Sequence, residues 1–250
     1  MKPVLLSERL RAVAAMVTVG NRVCDVGCDH GFIPIDLVTR GISPGVLAMD
    51  INPGPLGAAN RHIEERGLDE VIWTRLSDGL HNYNIGEADT LICAGMGGRL
   101  MMRILSDDKV KTESFRELVL QPQSEVEQFR RWLRMQGYCI TDENMIEEDD
   151  KFYPMMRVET NGSMPESNNM RDCIVDGKML CKLEDRYGPI LLKRRDKTLA
   201  RYLKREERIY RKILDELQAQ GLSDEKRKSR YTEVSKLLGE CREALEIVTK

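Results

Sequence analysis

A regular alternation of short apolar segments with amphipathic segments between residues 22 and 136 constrains the fold more than any other feature. The apolar segments, bounded by glycine or polar residues, are predicted strands at 22–26, 45–49, 71–75, 88–93 and 117–120. Helices are predicted between them, at 34–40, 55–66, 99–105 and 125–136. Two further strands, at 138–147 and 152–159, are predicted to form an antiparallel pair. Strands alternating with helices imply an α/β fold, a parallel sheet with helices on both faces.

Composition excludes several classes of protein. Hydrophobic residues make up 41% of the 250 residues and charged residues 32%, which suits a packed core and not a disordered chain. No apolar run approaches the ~18 uncharged residues of a membrane span. Charged residues interrupt the first apolar stretch, so no signal peptide is expected. With seven cysteines, an odd number, we expect reduced thiols and a cytoplasmic protein.

Charge divides the chain into two parts. Residues 182–250 hold 19 Lys/Arg and 13 Asp/Glu, and residues 193–212 hold 10 basic and 3 acidic residues. A basic surface of this kind attracts nucleic acid, although a solvated helix face has the same composition. We predict a first domain at 1–160, a linker at 161–181 and a helical domain at 182–250 that is a candidate for binding nucleic acid.

Apolar residues recur at helical spacing in the last domain and predict an antiparallel helical hairpin packed as a short coiled coil. Gly221 is predicted to end its first helix, and Ser223 to cap its second. The two apolar stripes are Leu199, Leu203, Tyr210, Ile213 and Leu217, then Tyr231, Val234, Leu238, Cys241, Leu245 and Val248.

Acidic residues follow three successive predicted strands. Asp25 and Asp29 flank Gly27, where a dinucleotide-binding loop would carry more glycines and no carboxylates, because a pyrophosphate would be repelled. Carboxylates suit a cation, and S-adenosylmethionine carries an ammonium, a sulfonium and no phosphate. Asp50 is placed to bind ribose hydroxyls, and Asp78 to meet the adenine amino group. A single Asp–Gly pair is more often a turn, but three together predict a cofactor site.

Two later segments are candidates for substrate contact. The fourth strand ends in Ala94-Gly95-Met96-Gly97-Gly98, whose open backbone would admit a flat base, unless it is only a tight connection. Gln121, after the fifth strand, is placed either to bind the edge of a base or to hold a loop. Cys24 and Cys28 have no second pair to complete a metal site, so none is predicted.

The strings DVGCDHGFIP, MDINPGPLGAA, RLSDGL, CAGMGG and LQPQ resemble the bacterial TrmK-type tRNA adenine-N1 methyltransferases, and YGPILLK with the basic hairpin is similar to their C-terminal region. The resemblance implies a class I methyltransferase domain (a Rossmann-like fold), a small α-helical coiled-coil domain, and methylation of N1 of adenosine 22 in tRNA by S-adenosylmethionine. Cys28, Gly31 and Phe32 stand where that family usually has Ser, Ala and Tyr.

The resemblance also implies a role for individual residues. Asp29 is the catalytic candidate, if it does not bind the methionine ammonium or cap the following helix. Arg9 is expected to close over the cofactor carboxylate, or to be a solvated helix residue. The cofactor-binding set is Arg9, Asp25, Gly27, Cys28, Asp29, His30, Asp50, Ile51, Asp78, Gly79, Ala94, Gly95 and Met96. The tRNA-binding set is Gly97, Gln121, Lys193, Arg194, Arg195, Lys197, Arg201, Lys204, Arg205 and Arg208.

Other functions remain open on the sequence alone. The chain is expected to act without an obligate protein partner or a membrane, as a monomer or weak dimer. A methyltransferase for another RNA or a small molecule would share the cofactor site. A non-catalytic RNA-binding module on a methyltransferase scaffold is the alternative from another class. A nicotinamide-dependent oxidoreductase is disfavoured by Asp25 and the missing glycines.

Overall fold

The computed structural model describes residues 6–160, 177–221 and 224–250, with the side chains of 177–181 excepted. The chain divides into two compact units, Met1–Asn169 and Met170–Lys250. Among the described residues, the helices are all too short or too polar to cross a membrane.

The first unit is built on a seven-stranded sheet of order β3-β2-β1-β4-β5-β7-β6. Its first five strands pair in parallel and β6 is antiparallel to β7, as the sequence predicts, and β7 also pairs antiparallel with β5. The strand order reverses between β1 and β4, where sheets of this kind bind ligands. The strands are β1 (Val23–Val26), β2 (Val46–Asp50), β3 (Ile72–Leu76), β4 (Thr90–Met96), β5 (Glu117–Pro122), β6 (Cys139–Glu148) and β7 (Lys151–Glu159).

Helices cover both faces of this sheet. One core cluster includes Val13, Ile35 and Ile63, from the first three helices, and the opposite cluster includes Met101 and Phe129. The helices are α1 (Glu8–Ala14), α2 (Phe32–Thr39), α3 (Pro53–Glu64), α4 (Gly98–Asp107), α5 (Lys109–Thr112) and α6 (Val126–Met135). The predicted α/β architecture is therefore confirmed, while α1 and α5 are additions that the periodicity did not predict.

The second unit contains more helix than predicted. Its described residues form α7 (Gly177–Tyr187), α8 (Pro189–Arg194), α9 (Lys197–Ala219) and α10 (Glu225–Thr249). Residues 177–181, predicted as linker, lie in α7; residues 161–176 of that linker, and Ser223, lie outside the described residues. The side chain of Asp224 caps α10 by accepting from the Lys226 amide, so the predicted Ser223 cap is not the one seen.

The predicted antiparallel hairpin is present as α9 and α10. Gly221 follows α9 at φ 80°, a conformation that favours glycine, so α9 ends where predicted. The Cys241 thiol donates to the Leu203 carbonyl at 3.3 Å, far from the connecting turn, which shows that the helices run side by side. Glu240 is buried and bonds Lys182 and Arg186 of α7, so the hairpin packs against a helix rather than standing alone.

A buried ion pair fixes α6 against β6. Arg130 Nε donates to Glu143 Oε1 at 2.8 Å, and both side chains are almost fully buried. We predict that Arg130→Met lowers the free energy of unfolding by about 3–5 kcal/mol, because Glu143 is left buried without its cation. The double variant Arg130→Met/Glu143→Leu should recover most of that loss. Urea unfolding measures both, and a double variant no more stable than the single one would contradict this explanation.

Candidate functional site

The loops that follow β1, β2 and β3 are tied together by backbone hydrogen bonds. The amides of Gly27 and Cys28 donate to the Met49 carbonyl at 2.8 and 3.0 Å. The Ser77 amide donates to the Asp50 carbonyl at 2.9 Å. Because these bonds join three consecutive strand ends, the acidic residues predicted as one site share the carboxyl edge of the sheet.

Asp25 is a buried carboxylate without a cationic partner among the described residues. Its side chain is only 3% exposed, and no described residue bonds it. Burial, and then the negative charge of Asp50, raise the pKa of Asp25 to about 7. Burial also raises the pKa of the neighbouring Cys28 thiol, which therefore stays neutral. A buried acid beside a second acid is suited to a cationic ligand group.

Asp50 is held in one orientation by backbone amides. Its Oδ2 accepts from the Asp29 amide at 3.2 Å, and its Oδ1 from the Asn52 amide at 2.8 Å. Each oxygen keeps a lone pair for a further donor, such as a hydroxyl. Ile51 and Leu76, at the ends of adjacent strands, are 54% and 50% exposed. Leu76 was not predicted; its exposure at a strand end distinguishes it only once the sheet is known.

Asp29 has a left-handed backbone and an exposed side chain. Its φ is 51°, a conformation that aspartate and asparagine adopt more readily than other residues with a side chain. Its side chain is 69% exposed, with Oδ1 at 3.5 Å from His30 Nε2. Gly31 is the N-cap residue of α2, and no side-chain hydrogen bond caps this helix. The alternative in which Asp29 caps α2 is therefore not seen.

Two predicted cofactor positions have a left-handed backbone that favours glycine. A Cβ on Gly27, at φ 78°, would lie 2.9 Å from Met96 Cε. A Cβ on Gly79, at φ 53°, would lie 3.2 Å from two carbons of Ile104. Asp78, next to Gly79, is exposed, with Oδ1 at 3.7 Å from Arg103 Nη2. Glycine at these positions lets the loop backbone pack closely against Met96 and Ile104.

The glycine-rich end of β4 offers a narrower opening than predicted. A Cβ on Gly97 would lie 2.9 Å from Ser124 Oγ, and one on Gly98 would lie 2.7 Å from the Ser124 carbonyl oxygen. These two glycines serve close packing, as expected for a tight connection, and contact of Gly97 with a base stays a prediction. Gly95 is exposed at φ 80°, and Ala94 beside it is half-buried. The opening is therefore at Gly95.

Arg9 extends to this opening from α1. Its Nη1 donates to Gln121 Oε1 at 2.9 Å, and its guanidinium lies over the Tyr153 ring, 5.6 Å from the centroid. Gln121 is fully buried and also donates to the Pro122 carbonyl. The Gln121 amide holds Arg9 and its own loop, which favours the second of the two alternatives for this residue, and contact of Gln121 with a base stays a prediction. None of the described carboxylates forms an ion pair with the Arg9 side chain, which leaves it able to bind an anion.

The eight basic residues predicted to bind tRNA in the second unit are all exposed. On α9 they are spaced by four, three, one and three residues, which places them on one side of the helix. Arg195, between α8 and α9, has φ 54°, another left-handed position. The residues on α9 are Lys197, Arg201, Lys204, Arg205 and Arg208.

In the described ranges, His, Cys, Asp and Glu side chains form no group of three or more able to hold a metal.

Comparison with known proteins gives a consistent result. A methyltransferase-domain family model matches residues 6–156. The tRNA (adenine(22)-N(1))-methyltransferase of Bacillus subtilis is 32% identical over 94% of each chain. The crystal structure of the B. subtilis m1A22 tRNA methyltransferase TrmK has a TM-score of 0.79 at 31% identity, covering 96% of this chain and 98% of that one.

A second solved structure extends the likeness. The TrmK of M. capricolum, in complex with S-adenosyl-homocysteine, has a TM-score of 0.76 at 26% identity, covering 98% of this chain and all of that one. The likeness spans both compact units and not the sheet alone. This chain belongs to the TrmK-type family of tRNA (adenine(22)-N1)-methyltransferases.

Proposed function

We propose that this protein transfers the methyl group of S-adenosylmethionine to N1 of adenosine 22 in tRNA. The observation that carries the proposal is the joining of Asp25, Asp29 and Asp50 at one sheet edge in a chain of this family. Three acids and no excess of glycines favour a cationic cofactor over a dinucleotide.

The residues of the edge fit each part of this cofactor. Asp25 would bind the ammonium group, and the two oriented oxygens of Asp50 would accept from the ribose hydroxyls. Asp78 would meet the adenine amino group, with Ile51 and Leu76 as apolar surface for the ring. Arg9, held by Gln121 and Tyr153, would bind the carboxylate. When bound, S-adenosylmethionine supplies the electrophilic sulfonium methyl group.

Asp29 is the residue placed to assist the chemistry. Adenine N1 carries a lone pair in the ring plane and needs no deprotonation before it attacks a methyl carbon. Methylation leaves the ring cationic and makes the exocyclic amine acidic. The exposed carboxylate of Asp29 would stabilise this charge or accept the amine proton. His30 lies beside it, with Nε2 at 3.5 Å from Asp29 Oδ1.

The second unit would hold the tRNA. The first unit is acidic and offers a polyanion little attraction, while α8, α9 and their junction carry eight exposed Lys and Arg side chains. Side chains of this type contact phosphates and fix the register of an RNA without reading its bases. We further propose that the protein is cytoplasmic, is a monomer or weak dimer, and needs no protein partner. Light scattering on the purified protein would test its oligomeric state.

Methylation of a defined tRNA tests the proposed function. An unmodified tRNA transcript is incubated with protein and cofactor, and its nucleosides are analysed by mass spectrometry, with primer extension to locate the product. We expect N1-methyladenosine at position 22, absent from a transcript with guanosine at that position. A methylated base elsewhere would indicate another acceptor. Binding of tRNA with neither methylation nor cofactor affinity would indicate the non-catalytic module.

We predict that Asp29→Asn lowers kcat by about 10²–10⁴-fold, the usual contribution of a positioned acid or base. Asparagine tolerates the left-handed backbone that this position requires, so the fold should be preserved. Single-turnover kinetics measure the chemical step, and calorimetry with S-adenosylhomocysteine checks that the cofactor still binds. A chemical step at near wild-type rate would remove Asp29 from the mechanism.

The basic side of α9 gives a second prediction. Lys197→Glu/Lys204→Glu/Arg208→Glu should weaken tRNA binding and flatten its salt dependence, by about 0.9 in the slope of log K against log [salt] for each phosphate that the variant no longer neutralises. Lys236→Glu reverses one charge at an exposed residue of α10, outside the predicted tRNA-binding set, and serves as the control. Filter binding from low to high salt measures both. Unchanged affinity and slope in the triple variant would contradict this assignment.

The raised pKa of Asp25 predicts how cofactor affinity depends on pH. A ligand ammonium binds the ionised carboxylate, which is the minor form below a pKa of about 7. S-adenosylhomocysteine should therefore bind about tenfold more tightly at pH 8 than at pH 6, with proton release at the lower pH. Calorimetry in buffers of different ionisation enthalpy measures both effects. The Asp25→Asn variant should bind S-adenosylhomocysteine weakly and with an affinity that does not change with pH. A wild-type affinity that is constant with pH would refute the prediction.

A further inference from the structure

Three aromatic side chains lie close together near Asp29. The proposed methyl transfer does not involve the faces of their rings. The rings of Phe32 and His62 are stacked, with centroids 5.2 Å apart and planes inclined by 17°. The His30 ring lies 5.8 Å from Phe32 and 6.1 Å from His62. His62 Nδ1 lies 3.0 Å from the His30 carbonyl oxygen, a hydrogen bond that holds the two residues together.

Close approach of α2 and α3 builds this ring cluster of His30, Phe32 and His62. A Cβ on Gly31 would lie only 3.0 Å from the Cβ of Ala59, so the start of α2 touches α3 at two small residues. His62 follows Ala59 by three positions and lies on the same side of α3. The contact therefore brings His62 to the residues on either side of Gly31.

The ring cluster differs from aromatic residues that serve only packing. Phe115 and Phe129 of the core are fully buried. In contrast, the His30 side chain is 46% exposed, and Phe32 and His62 are half-buried. Two of the chain's three histidines are here, at the ligand edge of the sheet. Exposed rings of this kind are the surfaces on which unpaired RNA bases stack.

An exposed cation lies next to His62 in the sequence of α3. Arg61 precedes His62 on α3, is exposed, and forms no ion pair with any carboxylate that the structure describes. An exposed ring and a free guanidinium together match the two parts of a nucleotide, its base and its phosphate. A small apolar molecule would leave Arg61 without a partner.

We propose that His30, Phe32 and His62 form a stacking platform for an unpaired tRNA nucleotide adjacent to the methylated adenosine, with Arg61 on its phosphate. The proposal rests on the proposed function, since it places the target base at Asp29. N1 becomes accessible only if the adenosine leaves its stack, at a cost of a few kcal/mol. Stacking of its neighbour on the platform offsets part of that cost.

Substitutions at His62 separate the platform from the cofactor site. His62→Ala should raise KM for tRNA at least fivefold, since base stacking on a ring contributes about 1–3 kcal/mol. Its kcat and its affinity for S-adenosylhomocysteine should stay within about twofold of the wild type. His62→Phe keeps a ring and should restore KM. His81→Ala, at the remaining histidine, is the matched control and should leave KM unchanged.

A fluorescent base reports the stacking directly. A tRNA carrying 2-aminopurine next to adenosine 22 should lose fluorescence on binding the wild type and His62→Phe, and should keep it with His62→Ala. An unchanged KM in His62→Ala, an equal weakening of cofactor binding, or equal quenching by all three proteins would overturn the proposal. Wild-type methylation of the same tRNA is measured alongside, so failure of the proposed function appears there and failure of the platform appears only in the variants.

Discussion

Burial of Asp25 and Asp50 at neighbouring strand ends is the interaction on which the rest of the site depends. Removing a carboxylate from water is costly unless hydrogen bonds or a cation compensate it. Asp50 is compensated by two backbone amides, whereas Asp25 has no described partner and its pKa rises to about 7. The fold therefore holds one acid that no described group compensates, and a cationic ligand would stabilise its ionised form.

The same constraint explains the geometry around it. The chain after β1 must turn sharply for an amide to reach Asp50, and Gly27 and Asp29 both adopt left-handed conformations to do so. That turn directs the Asp29 side chain outward, beside His30 of the ring cluster. Cofactor binding and substrate contact are thus two sides of one short loop, which links the acid that binds the donor to the acid proposed to assist the transfer.

The sequence predicted the sheet and the acidic edge, because buried strands and strand-end acids are local patterns. It missed α1, which is too short for a clear period, although Ser7 followed by acidic Glu8 is a helix-start signal. It did not reveal the packing contacts of Gln121 and Gly97, because their partners, Arg9 and Ser124, are distant in sequence or lie across a loop. The ring cluster also escaped prediction, since only the contact of α2 with α3 brings His62 to it.

A crystal structure of the protein with S-adenosylhomocysteine tests most directly whether the acidic edge holds the methyl donor. We expect density across the ends of β1 to β4, with the ammonium beside Asp25, the ribose hydroxyls on Asp50 and the adenine near Asp78. Density for the ligand at another part of the fold, or an edge that stays empty at saturating ligand, would contradict the account.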